Sequence, residues 1–117
     1  MIADPSLKNI RIVLVETSHP GNIGAAARAM KTMGLTELYL VNPRAFPHAD
    51  ATARASGATD VLEAAHVTAT LEEALADCVL AVATSSRQRE LRHEMLDARE
   101  AAARILRVGV DRPVALV

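Results

Sequence analysis

The sequence is poor in aromatic side chains, with one Phe, one Tyr and no Trp among 117 residues. Proteins that hold single-stranded nucleic acid by stacking its bases use aromatic platforms, so this composition argues against base stacking as a means of binding. Half of the residues are nevertheless hydrophobic. The core must therefore be built from Val, Leu, Ile, Ala and Met.

Cysteine and long apolar runs are also scarce. The single cysteine, Cys78, lies in the apolar run 78–83 and has no disulfide partner, which predicts a buried, reduced thiol and a cytosolic protein. No apolar stretch approaches membrane-spanning length, and residues 1–5 lack the pattern of a secretory signal, so secretion and membrane insertion are disfavoured. The histidines show no recurrent metal-ligand spacing, and we expect no metal site. They are His19, His48, His66 and His93.

What the sequence does contain is an alternation of strand-like and helix-like patterns. Short β-branched and aliphatic runs predict strands at residues 10–15, 37–41, 78–83 and 113–117. Helical spacing predicts helices at residues 23–33, 49–56, 71–76 and 98–107, with Gly34 and Gly57 as terminators and Thr70 and Asp97 opening capping boxes. This order predicts a single α/β domain over residues 1–117, with a mostly parallel sheet and helices on both faces.

A glycine-rich segment joins the first predicted strand to the first predicted helix. Gly21 and Gly24 permit close backbone approach, and Asn22 is placed to cap the helix. Arg28 follows nearly two turns later, and a helix N-terminus with an Arg nearby suits an anion such as phosphate. These residues also fit an alternative interpretation: the glycines form an ordinary strand-to-helix turn, and Arg28 is a solvated surface charge. The glycine spacing is neither a dinucleotide fingerprint nor a P-loop.

The longer string changes this balance, because it resembles the first motif of the SpoU/TrmH family of SPOUT RNA 2′-O-methyltransferases. The likeness rests on Ile12-Val13-Leu14-Val15-Glu16-Thr17, on Gly21-Asn22-Ile23-Gly24 through Arg28 to Met30, and on Gly34-Leu35. It continues through residues 41–43, 55–58, 84–87 and 112–117, and so covers nearly the whole chain. Within the family, the sequence is most similar to enzymes that methylate the first pyrimidine of the tRNA anticodon loop.

The resemblance implies transfer of a methyl group from S-adenosylmethionine to a ribose 2′-hydroxyl of tRNA or rRNA. It gives Asn22 an organising role in the site and Arg28 the role of activating the hydroxyl. A guanidinium is a poor proton acceptor, so we favour a role for Arg28 in holding the adjacent phosphate. The early part of the cofactor pocket is implied at Thr84, Ser85 and Ser86. Family members are homodimers in which the arginine serves the neighbouring subunit's cofactor site.

The densest basic cluster follows that loop and comprises Arg87, Arg89 and Arg92, with His93 nearby. These side chains could contact RNA phosphates, which would make binding strongly dependent on salt. Glu90 and Glu94 are interleaved with them, and a solvated, partly self-paired surface is an equal alternative.

The family's second and third motifs, a Phe-Gly-x-Glu-like loop and a Ser-Leu-Asn-like segment, do not occur in these 117 residues. They contribute the knot and most of the cofactor pocket, so we expect the chain to be the N-terminal part of an α/β-knot domain that lacks a complete cofactor site. Two alternatives stay open. One is a truncated, non-catalytic module that binds RNA or a protein partner, and the other is an α/β nucleotide-binding module of another kind.

Overall fold

The computed structural model describes residues 5–84 and 96–117. Its strands are β1 (Ile10–Val15), β2 (Glu37–Val41), β3 (His66–Thr68), β4 (Leu80–Val82) and β5 (Val114–Leu116). Its α-helices are α1 (Pro20–Met33), α2 (Ala49–Ala55), α3 (Thr59–Glu63), α4 (Leu71–Ala74) and α5 (Ala98–Val108). Short 3-10 helices span Pro5–Asn9 and Ser56–Ala58.

The five strands form one sheet in the order β3-β2-β1-β5-β4. All four neighbouring pairs are parallel, and β1 lies at the centre between β2 and β5. Parallel neighbours require crossover connections, and the helices between the strands supply them. The predicted α/β class with a parallel sheet is confirmed.

Helices cover both faces of the sheet, but unequally. On one face, α1, α2, α3 and α5 contribute to a large core with β1, β2 and β5, and its most deeply buried side chains include Ile23, Met30 and Leu38. On the other face, the short helix α4 contributes Ala74 to a smaller core with Val13 and Val41. Successive strand residues enter opposite cores because the side chains of a strand alternate between its two faces.

A polar layer ties α4 to this second face. The guanidinium of Arg11 donates to the carbonyl oxygen of Ala74 at 3.0 Å and to the carboxylate of Asp77 at 2.8 Å. It also lies 4.7 Å from the ring centre of Tyr39, which stacks on His66 with the ring centres 4.5 Å apart. Burial raises the pKa of the Tyr39 hydroxyl.

The sequence analysis is wrong at both edge strands of the sheet. The strand predicted over 78–83 is only Leu80–Val82, because the amide of Cys78 instead donates to the carbonyl of Leu75 and closes the turn after α4. This strand is an edge, and Cys78 is only partly buried, although burial still raises the pKa of its thiol. The edge strand β3, with three residues, was not predicted at all.

The helix predicted over 49–56 ends at Ala55, and Gly57 does not terminate it. Ser56 instead takes the positive φ, at 55°, and the chain continues through the 3-10 helix into α3. This path brings Ala58 into the large core, where it is 1% exposed. By contrast, Gly34 ends α1 in the left-handed conformation, at φ 79°, as predicted.

Candidate functional site

Helix α1 begins earlier than its sequence pattern predicts. His19 is the N-cap residue, its side chain makes no capping hydrogen bond, and Pro20 begins the helix. Proline suits this position because its fixed φ is helical and its missing amide hydrogen is not needed there. Asn22 therefore lies inside the first turn, with its amide donating to the carbonyl of His19 at 3.0 Å. The prediction that Asn22 caps the helix is wrong, and its exposed side chain is left for another role.

The two glycines of the motif lie where α2 packs against α1. A Cβ atom at Gly24 would meet the carbonyl oxygen of Ala51 at 2.1 Å and the Cβ of Arg54 at 2.9 Å. Only a glycine permits this approach of the two helices. At Gly21, a Cβ atom would lie 3.5 Å from the Cγ and 3.8 Å from the Nε of Arg54. The side chain of Arg54 thus runs alongside the first turn of α1.

A groove of about 630 Å³ runs between α1 and α2. Its lining residues are Ala25, Arg28, Ala29, Thr32, Ala53, Arg54 and Ser56. Arg28 and Arg54 are the charged residues of this lining, and both are exposed. Within the part of the chain that the structure describes, neither guanidinium has an ion pair or a hydrogen bond. The groove is therefore positively charged and open to solvent.

Arg28 and Asn22 lie on the same helix but not on the same side of it. Six residues separate them, which corresponds to about 9 Å along the helix axis and about 120° around it. Arg28 faces α2, as its place in the groove lining shows. The sequence analysis expected Arg28 to lie near the helix N-terminus and bind an anion there. The structure instead places Arg54 next to the start of α1. No sequence signal indicated this position of Arg54, because it depends on the packing of α2.

Two strained backbone positions mark the carboxyl edge of the sheet next to α1. Glu16 and Asn42 directly follow β1 and β2 and have positive φ values of 52° and 46°. The amide of Glu16 donates to the carbonyl of Val41 and the amide of Asn42 to the carbonyl of Thr68, each at 2.8 Å. These hydrogen bonds to the neighbouring strand stabilise the strained conformation. Non-glycine residues in this conformation are concentrated at functional sites. Asparagine tolerates it, whereas nothing in the sequence pattern indicates it for Glu16.

Thr84 follows β4, the edge strand that lies two places from β1 in the sheet. Its amide and its hydroxyl both donate to the carbonyl oxygen of Val117, at 2.8 and 3.0 Å, so both groups hold β4 to β5. Helix α3 packs on β2, and α5 packs on β4 and β5. Thr84 is not among the residues that line the α1–α2 groove with Arg28.

The other predicted site residues lie outside the described ranges 5–84 and 96–117. They are Ser85 and Ser86 of the predicted cofactor loop, and Arg87, Arg89, Arg92 and His93 of the basic cluster. Across the residues that are described, no group of His, Cys, Asp and Glu side chains is arranged to hold a metal ion. In the same ranges, no helix is both long and apolar enough to span a membrane.

Comparison with known proteins defines the class of this fold and motif. The model of the SpoU rRNA Methylase family matches residues 9–117, and the chain belongs to this family. The resemblance drawn from the motif string is thereby confirmed.

Among curated relatives, the chain is similar to the TrmJ enzymes. It is 58% identical over 112 residues to the tRNA (cytidine/uridine/adenosine-2′-O-)-methyltransferase TrmJ of Pseudomonas aeruginosa UCBPP-PA14, covering 95% of this chain and 44% of that protein. It is 58% identical over 111 residues to the tRNA (cytidine/uridine-2′-O-)-methyltransferase TrmJ of Escherichia coli K12, covering 95% and 45%. The chain thus spans less than half of the length of these relatives.

Solved structures show the same fold. A probable methylase family protein from Haemophilus influenzae Rd KW20 matches with a TM-score of 0.86 and 46% identity, over 95% of this chain and 45% of that one. TrmJ from Z. mobilis ZM4 matches with a TM-score of 0.84 and 39% identity, over 91% of this chain and 47% of that one.

Proposed function

We propose that the protein containing this chain is an S-adenosylmethionine-dependent ribose 2′-O-methyltransferase of tRNA. Its target is the first pyrimidine of the anticodon loop, and it acts in the cytoplasm. The observation that carries this proposal is Arg28, an exposed guanidinium in the family's first motif that has no partner among the described residues. The similarity to TrmJ enzymes over 95% of the chain supports tRNA as the substrate.

Arg28 acts on the RNA as a fixed cation. When bound, S-adenosylmethionine would supply the methyl group and leave as S-adenosylhomocysteine, and the ribose 2′-hydroxyl would give up its proton to solvent. A guanidinium does not take up that proton at ordinary pH, but it binds a phosphate in two-pronged fashion and stabilises negative charge that develops on a nearby oxygen. Holding the ribose in line contributes heavily to the rate of such a displacement. Asn22, exposed in the first turn of the same helix, helps to organise the bound nucleotide.

Of the residues that the resemblance assigns to the S-adenosylmethionine pocket, only Thr84 is among the described residues. Thr84, placed in the cofactor loop by the family resemblance, already uses its amide and its hydroxyl on Val117. The proposed pocket includes Ser85 and Ser86 and sequence motifs that these 117 residues lack. We therefore assign to this chain the half of the site that holds the RNA.

The placement of Arg28 also supports a homodimer. Arg28 lines the groove between α1 and α2, whereas Thr84 follows the edge strand β4 and is not among the groove residues. An arginine that does not share a pocket with Thr84 of its own chain is suited to serve the site of a second subunit. We propose that the α1–α2 groove of one protomer meets the cofactor site of its partner.

The test uses the protein expressed from its complete reading frame, with a tRNA transcript and methyl-labelled S-adenosylmethionine. We expect Arg28→Met to lower kcat/KM by at least about 100-fold, the scale on which one transition-state charge contact acts. Arg28→Lys should lose most of this activity too, because an ammonium cannot make the two-pronged contact. Arg107→Met, the same change on the exposed side of α5, is the matched control and should leave the rate unchanged.

Two results would count against the proposal. Absence of label at a 2′-oxygen of the anticodon loop with the unsubstituted protein would overturn the assigned function. Near-normal turnover by Arg28→Lys, with an unchanged pH profile, would overturn the specific role of the guanidinium while leaving the function intact.

A further inference from the structure

Arg54 is a cation in an otherwise acidic part of the sequence. Residues 47–84 contain six acidic side chains, and Arg54 is their only lysine or arginine. The acidic residues are Asp50, Asp60, Glu63, Glu72, Glu73 and Asp77. A solitary arginine here would be expected to pair with one of them, yet no ion pair of Arg54 occurs within the described residues.

The fold lays the side chain of Arg54 along the motif helix α1. Its stem lies against Gly21, with the Cζ of the guanidinium 3.9 Å from the position of a Cβ there. Asp50, one turn earlier on α2, lies 3.8 Å from His48, and Asp60 is paired with Lys31 at 2.6 Å. Asp60 is therefore held by another cation, and no ion pair joins Asp50 to Arg54 among the described residues. Arg54 is left facing the groove.

Arg54 and Arg28 mark two points along one groove. Gly21, Ala25, Arg28 and Thr32 follow the spacing i, i+4, i+7, i+11, which places them on one side of α1. Seven residues separate Gly21, where Arg54 lies, from Arg28, which corresponds to about 10 Å along the helix axis. Two guanidiniums anchored two turns apart are suited to different phosphates of one strand, rather than to a single small anion.

The lining between them suits a sugar-phosphate chain and offers little to a base. Three alanines keep the groove shallow, and Ser56 adds an exposed hydroxyl. The hydroxyl of Thr32 is already donated to the carbonyl of Arg28 at 3.1 Å. No aromatic side chain is among the lining residues, so stacking of a base has no platform here. Solvent-accessible arginine side chains commonly bind the phosphate groups of a nucleic-acid backbone.

We propose that the α1–α2 groove binds the phosphodiester backbone of the RNA next to the target nucleotide, with Arg54 as a second phosphate-binding residue beside Arg28. This inference rests on the proposed function and deepens it. Arg54 contacts the RNA but not the reacting atoms, so it contributes to the affinity for RNA rather than to the chemical step.

The test compares Arg54→Met, Arg54→Lys and Arg107→Met in the protein expressed from its complete reading frame. Methionine keeps an unbranched stem against Gly21 and removes the charge, so the melting temperature should not change. At physiological salt we expect Arg54→Met to raise the KM for a tRNA transcript roughly threefold to tenfold, as for loss of one accessible charged contact, with kcat unchanged. Arg54→Lys should recover most of the loss, and Arg107→Met should behave like the unsubstituted protein.

The salt dependence of tRNA binding, measured by fluorescence anisotropy, gives a second readout that a packing role would not move. Removal of one phosphate contact should reduce the slope of log K against log salt by about 0.7. Unchanged KM and slope in Arg54→Met, with normal methylation by the unsubstituted protein, would overturn this inference and leave the proposed function standing. Failure of the unsubstituted protein to methylate tRNA would instead overturn the proposed function. In that case the salt dependence of binding alone would test whether the groove binds RNA. Equal slopes for Arg54→Met and the unsubstituted protein would refute RNA binding by the groove.

Discussion

At the scale of the residue, Gly24 sets the distance between α1 and α2. A side chain there would place its Cβ 2.1 Å from the backbone carbonyl of Ala51, a contact that can be relieved only by moving a helix. We expect Gly24→Ala to lower the free energy of unfolding by about 2 kcal/mol or more, because overpacking exceeds the gain in helix propensity. The same shift would displace Arg54 from the groove. Urea denaturation of Gly24→Ala and of the unsubstituted protein measures the change in the free energy of unfolding.

Gly21→Ala is the matched control within the same helix. Its Cβ would meet Arg54 at 3.5 Å, an ordinary contact with a flexible side chain. Gly21→Ala should therefore leave the free energy of unfolding unchanged or raise it by up to about 1 kcal/mol, the gain in helix propensity. Equal stability of the two variants would contradict the close approach of the helices at Gly24.

At the scale of the element, the start of α5 depends on an ionised carboxylate. Asp97 accepts a hydrogen bond from the amide of Glu100 at 2.8 Å, and this bond lowers the pKa of Asp97 below its usual range. Because the folded pKa is the lower one, the stabilisation is complete above the unfolded pKa of about 3.9 and is lost as pH falls through the folded value. The cap thus stabilises the protein at neutral pH and fails in acid.

Asn caps a helix as well as Asp does but does not titrate, so Asp97→Asn separates the cap from its charge. We expect the difference in free energy of unfolding between the native protein and Asp97→Ala to be clear at pH 7 and to shrink below about pH 4, near the unfolded pKa. The difference between Asp97→Asn and Asp97→Ala should stay constant over that range. A pH-independent effect of Asp97→Ala, measured by urea denaturation, would refute the ionised cap.

Elements with local signals were predictable, and those that depend on distant contacts were not. The capping boxes at Thr70 and Asp97 and the glycine at Gly34 lie where the sequence placed them, because each acts within one turn of its own helix. Strand β3 escaped prediction since His66 is held by stacking on Tyr39, a residue far away in the sequence. The end of β4 was misjudged for a similar reason, because pairing with β5 decides which residues join the strand.

The candidate site likewise has features that the sequence predicts and features that depend on distant contacts. The motif string identified the family and predicted Arg28 as a site residue, since both inferences rest on consecutive residues. The string could not show that α1 begins at Pro20, which moves Asn22 off the cap. It also could not show that Arg54, 26 residues after Arg28 in the sequence, shares a groove with it. That arrangement depends on the packing of α2 at Gly24.

At the scale of the whole molecule, Thr84, the first residue of the predicted cofactor loop, is not among the residues that line the α1–α2 groove. The groove is built entirely from α1, α2 and Ser56, all within residues 20–56. The cofactor loop begins at Thr84, whose polar groups are both engaged with Val117. These 117 residues should therefore hold RNA better than they hold S-adenosylmethionine, and the two capacities can be separated experimentally.

We expect residues 1–117, expressed alone, to show no heat of binding with S-adenosylmethionine in calorimetry under conditions that saturate the protein from the complete reading frame. The reason is that the second and third motifs, to which the family resemblance assigns most of the pocket, are not among these residues. Circular dichroism of the same sample must show the α/β content, so that absence of binding is not loss of folding. Binding by residues 1–117 as tight as that of the complete protein would refute the division, because the described half of the sheet and the loop after Thr84 would then suffice for the cofactor.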